Sequence, residues 1–252
     1  MSLLTSNSEL RPHHIWNWSI PALRATLLDG SHVNTCPSAG ACARVCYARN
    51  GTYLFSNVLA AHTRNLQMTL DSTWPAVMIA ELQHRRYRPK GTARIMPLPL
   101  HELDFWCWHW ADAGGAAVRI HDSGDFYTAD YLDDWLTIAR ATPDVLFYAY
   151  TKEIVMMRAA ADRAPENFRW LYSTGGTQDH LIDPDLDRHA DVFPDEQAIA
   201  DAGYTSQDVS DLLAILLPTT RIGIPANNIK HFNRLIAGRR FSEMQPHRQM
   251  PR

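Results

Sequence analysis

No run in these 252 residues approaches the roughly 18 consecutive apolar positions that a bilayer-spanning helix requires. The amino terminus lacks a basic start followed by an apolar stretch, so no secretory leader is expected and the chain is read as cytoplasmic. Basic excess is missing too. Lys and Arg number 24 against 27 Asp and Glu, a net charge of −3, which excludes a protein that coats nucleic acid by charge alone. The clusters Arg85, Arg86, Arg88 and Arg239, Arg240 read as solvated faces. Cysteine is scarce: there are four, three of them between positions 36 and 46. That is not a disulfide framework, and no disulfides are expected. Internal repeats and low-complexity tracts are absent.

What is present is an ordinary globular composition, 46% apolar and 20% charged, with eight Trp and nine Tyr. A chain of this size can bury its own core without disulfide or metal. The segment to about Arg11 is polar and reads as loose, and Trp16–Leu28 is apolar without a clear period. Leu54–Thr69 and Trp74–Arg86 carry apolar residues every three or four positions, which predicts helices. Arg94–Pro97 predicts a short strand and His101–Ala113 a helix. Strand Ala117–His121, helix Ala129–Ala141, strand Val145–Tyr150, helix Glu153–Arg163 and strand Phe168–Tyr172 then alternate. That order predicts an α/β fold, a parallel sheet with alternating helices, either open or closed wholly or partly into a barrel. The chain reads as one domain: a cysteine loop at 31–53, a βα core at 93–176 and an irregular part at 177–252. In that last part Ala190–Phe193 and Arg221–Ile224 are strand candidates, Asp195–Ala202 and Ser210–Leu217 short helices, and the tail beyond Gly238 reads as frayed.

The cysteines are spaced Cys36-x5-Cys42-x3-Cys46 on a loop punctuated by Pro37, Gly40 and Gly51, with room for one helical turn. Thiolates are soft ligands suited to zinc and to iron–sulfur clusters. Three of them leave one coordination position for something else: an open iron in a four-iron cluster, or a fourth ligand on zinc. His32, four positions before Cys36, would complete a Cys3His zinc site. The third reading is three free thiols acting as small buried hydrophobes, which a polar loop suits poorly. Cys107, inside Phe105-Trp106-Cys107-Trp108, reads as a core residue.

Ligands gather at the carboxyl ends of parallel strands. Three consecutive strands end in polar groups: His121, Asp122, Ser123 and Asp125; then Tyr150, Thr151 and Lys152; then Ser173 and Thr174. Turns and helix caps favour such residues as well, but three strand ends in a row point to a common pocket. A buried Lys152 needs a carboxylate, and Asp125 is the expected partner. Strand alternation places Arg119 and His121 on one face, Ile120 and Asp122 on the other.

The loop Cys36-Pro37-Ser38-Ala39-Gly40-Ala41-Cys42 continuing to Cys46-Tyr47-Ala48, together with Arg119–Phe126 and Phe147–Lys152, resembles the phage gene product 88 family over about residues 20–205. That family is similar in turn to radical S-adenosylmethionine enzymes. The resemblance implies a partial TIM-like barrel and a [4Fe-4S] cluster on Cys36, Cys42 and Cys46. It implies S-adenosylmethionine as a second cofactor, held near Ser123, Gly124, Asp125, Tyr150, Lys152 and Ser173. The spacing departs from those enzymes, which place three and two residues between the cysteines, and Val45 rather than an aromatic precedes the last cysteine. The resemblance further implies a cysteine loop at the same end of the sheet as Ser123, Asp125, Lys152 and Ser173, with Tyr47, Tyr148 or Tyr150 lining the space between. A nucleotide, a nucleic acid or a peptide would suit as substrate, in the host cytoplasm for a phage-encoded chain. The competing function is a non-catalytic binding protein with a structural zinc.

Overall fold

The computed structural model describes residues 2–91, 100–226 and 230–244. The strand predicted at Arg94–Pro97 lies outside them. Strand β1 (Ile15–Trp18) opens the chain, followed by a hairpin of β2 (Arg24–Thr26) and β3 (His32–Asn34). One helical turn, α1 (Cys42–Val45), then precedes α2 (Ser56–Met68), α3 (Trp74–Leu82) and α4 (Phe105–Ala113). The alternating core is β4 (Ala117–Ile120), α5 (Ala129–Ala141), β5 (Leu146–Thr151), α6 (Ile154–Ala160) and β6 (Phe168–Ser173). Then come β7 (His189–Phe193), α7 (Glu196–Asp201), β8 (Thr205–Ser206), α8 (Leu213–Leu216), β9 (Arg221–Pro225) and α9 (Lys230–Ile236).

Seven strands form one sheet in the order β1-β4-β5-β6-β7-β9-β8, every neighbouring pair parallel. The fold is therefore α/β with alternating helices, running from β1 at one edge to β8 at the other. Local chemistry marks the helix ends. Asp104 caps α4 by accepting from the Cys107 amide at 2.9 Å, and left-handed Gly114 ends it. Thr128 caps α5 on the Tyr131 amide.

Residues alternate across the sheet and so feed two cores. Trp18, Val118, Ile120, Phe147 and Ala149 join α3, α5 and α6 on one side. Ile15, Ala117, Leu146, Tyr148, Leu171 and Ile222 join α4 and α8 on the other. The helices between β4, β5 and β6 thus lie on one face, as expected. Trp18, Trp74 and Trp135 meet on that face, with ring centroids 4.5–6.0 Å apart. Cys107 is buried in the other core, as its aromatic surroundings suggested.

Several expectations need correction. The amino-terminal stretch is not loose: the Thr5 main chain pairs with Asn17 of the edge strand β1, with the two amide-to-carbonyl bonds at 3.1 and 2.6 Å. β1 itself was missed. Its four residues are too few for period-2 alternation to be visible. The carboxyl-terminal segment is not frayed over 239–244, because Phe241 is buried against Val45, Ala226 and Ile236. His121 does not share Arg119's face. Its backbone turns left-handed (φ 68°), so β4 ends at Ile120 and the ring swings to Tyr131 of α5, with Nε2 2.9 Å from the hydroxyl.

Candidate functional site

The cysteine loop lies across the carboxyl ends of β4, β5 and β6. At β4, the Asp125 amide donates to the Thr35 carbonyl at 2.8 Å, and Tyr47 and Tyr53 donate to the Asp122 carbonyl and carboxylate respectively. At β5, Glu153 accepts from the Ser38 amide (2.8 Å) and hydroxyl (2.9 Å). At β6, the Cys42 amide donates to the Gly175 carbonyl at 2.9 Å, and Ser38 accepts the Thr177 amide at 2.9 Å. Gly176 permits this approach, since a Cβ there would stand 2.9 Å from both the Ser38 oxygen and the Lys152 Cβ.

All four cysteines are free, and Cys36, Cys42 and Cys46 are half-buried. Burial pushes the Cys36 thiol up to about 12, helped by the negative charge of Asp125 and by Cys42 and Cys46. Burial and Cys42 likewise raise Cys46, while Arg49 and Lys152 oppose the rise. The three sulfurs are therefore electrostatic neighbours of one another, of Asp125 and of Lys152. As they stand, no group of three or more His, Cys, Asp and Glu side chains among the described residues is arranged to hold a metal ion. Cys36 Sγ accepts the Leu23 amide at 3.3 Å, a bond that cluster sulfurs also accept. The donor set fits a soft metal: three thiols, a nearby ammonium and no competing disulfide. His32 lies on the exposed hairpin, with Nδ1 3.1 Å from the Thr26 hydroxyl.

The strand-end residues divide into two kinds. Asp125 is 5% exposed and its carboxylate is taken by its own chain, from the Thr151 hydroxyl (2.6 Å) and the Phe126 (2.8 Å) and Lys152 (2.9 Å) amides. It ties β4 to β5. The expected Lys152–Asp125 ion pair is replaced by this main-chain bond, and the ammonium goes to the Ser173 hydroxyl at 2.7 Å. Gly124 (φ 92°) lets the turn close on the segment that follows β1, where an added Cβ would meet Ile20 at 2.3 Å. Ser123 differs: its hydroxyl is buried and has no hydrogen-bond partner among the described residues, so a polar atom at the strand end is left for something else to satisfy.

On the sheet's other face Arg119 bridges Asp122 (3.3 Å) and Asp211 (2.9 Å) and lies over Tyr150, 5.3 Å from the ring centroid. Burial works against that charge, yet Asp211 and Asp122 hold its pKa well above the usual arginine range. Tyr148 donates to Asp211 at 3.1 Å and Tyr150 to Gln207 at 2.5 Å. Tyr47, Tyr148 and Tyr150 are thus gathered around one Arg–Asp network. Glu153, Ser38, Tyr53 and Asp211 were not legible beforehand. Their partners are up to 140 residues away in the chain, and no local pattern marks such pairs.

Among the described residues no helix is long and apolar enough to cross a membrane. No curated protein and no solved structure matches this chain. The family model described as gene product 88 matches residues 1–244, and the chain belongs to the gene product 88 family.

Proposed function

We propose that Cys36, Cys42 and Cys46 hold a [4Fe-4S] cluster, and that the protein is a radical S-adenosylmethionine-like enzyme whose sheet forms the wall of a partial TIM-like barrel. The observation that carries this reading is the bonding of the cysteine loop to three consecutive strand ends, where ligand sites of parallel sheets lie. When bound, such a cluster supplies an electron through the iron that three cysteines leave open.

The chain's own residues supply the rest. Ser123 offers a buried hydroxyl without a partner to an amino or carboxylate group. Lys152, fixed by Ser173, brings a cation beside Cys46 that suits a carboxylate. Gly124 and Asp125 hold the turn that presents Ser123. Tyr150, backed by Arg119, closes the wall. The cysteine loop above these groups excludes water, which protects a reactive species. The substrate classes that suit the reading are a nucleotide, a nucleic acid or a peptide in the cytoplasm of a phage's host.

The test is binding and cleavage of S-adenosylmethionine by anaerobically reconstituted protein. Reduced protein is expected to release 5′-deoxyadenosine. Ser123→Ala, which removes no protein hydrogen bond, is expected to keep its iron and weaken cofactor binding about ten-fold, the worth of one hydrogen bond. Iron-loaded protein that neither binds nor cleaves the cofactor would refute the enzyme reading. Colourless protein carrying zinc would favour the structural-metal alternative.

A further inference from the structure

A cleft of about 550 Å³ opens at the amino-terminal end of β6, the end of the sheet opposite the cysteine loop. It exists because β6 and β7 pair only at Tyr172–His189 and Ser173–Ala190. The amino-terminal half of β6 therefore has no strand beside it on that side. The Tyr172 and Thr174 amides point toward β7, so alternation aims the Trp170 amide into the gap. Arg158, Arg169 and Arg188 line it, with Trp170 and Tyr172 as flat walls.

The three arginines are not equivalent. Arg158 is paired with Asp187 at 2.7 Å, and Arg169 with Asp104 at 2.7 Å. Arg188 is half-buried and donates to the Ala214 carbonyl at 3.0 Å. Among the described residues no carboxylate lies within ion-pair distance of it. Burial lowers its pKa, and the neighbouring charge of Arg169 lowers it further. A half-buried guanidinium facing a like charge is costly unless an anion joins it. A cleft of this size, with a few convergent polar groups and aromatic walls, suits a small molecule.

We propose that this cleft binds the phosphoryl group of a small molecule, with Arg188 as the residue that holds the anion. Arg188 presents a planar fork matched to phosphate oxygens, and the free Trp170 amide adds a neutral donor. The exposed Glu166 carboxylate at the rim opposes the anion. The site is separate from the cysteine loop and does not depend on a metal there.

Titration calorimetry with inorganic phosphate, against chloride at equal ionic strength, tests it on the full chain. Saturable binding is expected, weakened at least ten-fold by Arg188→Gln and tightened by Glu166→Gln. Glu166 is exposed, so its variant reads the site even if Arg188→Gln fails to fold. Heats equal to the chloride control would overturn the proposal. So would unchanged affinity in Glu166→Gln or in a folded Arg188→Gln.

Discussion

His121 leaves β4 in a left-handed conformation, and this single residue decides what the strand end presents. Its ring goes to Tyr131 and the Trp18 side of the sheet, while Asp122 is left to Arg119 and the tyrosines. Burial lowers the imidazole pKa to about 3. A depressed histidine contributes stability that is present above its unfolded value near 6.5 and is lost as pH falls toward the folded one. The expected slope is at most about 1.4 kcal/mol per pH unit. His121→Asn, which tolerates the left-handed backbone, should flatten the decline between pH 6.5 and 4.5 relative to wild type in denaturant titrations. Equal slopes would refute the assignment. Gly124→Ala should cost roughly 2 kcal/mol or more, from the overlap with Ile20 and the φ of 92°. Unfolding midpoints at pH 7 check this, and a neutral result would show that the turn after β4 is looser than described.

At the scale of elements, the carboxyl-terminal segment is part of the cysteine region. Asp191 in the middle of β7 is completely buried. It accepts from the Ser242 amide (3.1 Å) and hydroxyl (2.6 Å) and from the Thr174 hydroxyl (2.7 Å). Phe241 then packs near α1, and Arg44 donates to the Met244 carbonyl at 3.0 Å. Hydrogen bonds to a charged group are worth about 1.5–3 kcal/mol each. Asp191→Ala should therefore raise amide hydrogen exchange at 239–244 by ten-fold or more. Exchange unchanged there would mean that other contacts hold the segment. The βα core was legible in the sequence because its helices carry a clear 3.6-residue period and its strands are apolar runs ending in turn residues. Helix Ala129–Ala141 was read with its observed ends, and the strands at 117, 146 and 168 to within a residue or so. The strand β1, the hairpin and the 239–244 turn were not legible. They are short, and long-range partners such as Asp191 and Ala117 hold them.

Across the whole molecule, the sheet's direction is what brings the chemistry together. Parallel strands place all their carboxyl ends on one side, and the cysteine loop lies there against β4, β5 and β6. The polar residues after three successive strands were legible by themselves, and the cysteine loop was placed beside them only by the family resemblance. The individual roles were not legible. Asp125 was expected to pair with the Lys152 ammonium and is instead a tie between strands, whereas Ser123 is the group left without a partner among the described residues. Side-chain satisfaction is a three-dimensional property, so residue type alone does not disclose it. The central claim is that the loop holds an iron–sulfur cluster. Iron and acid-labile sulfide per chain after anaerobic reconstitution test it most directly. The account predicts equal amounts of both, as a four-iron cluster requires, and loss of both in a folded Cys42→Ala variant. Iron and sulfide absent from wild type, or retained in full by Cys42→Ala, would contradict it.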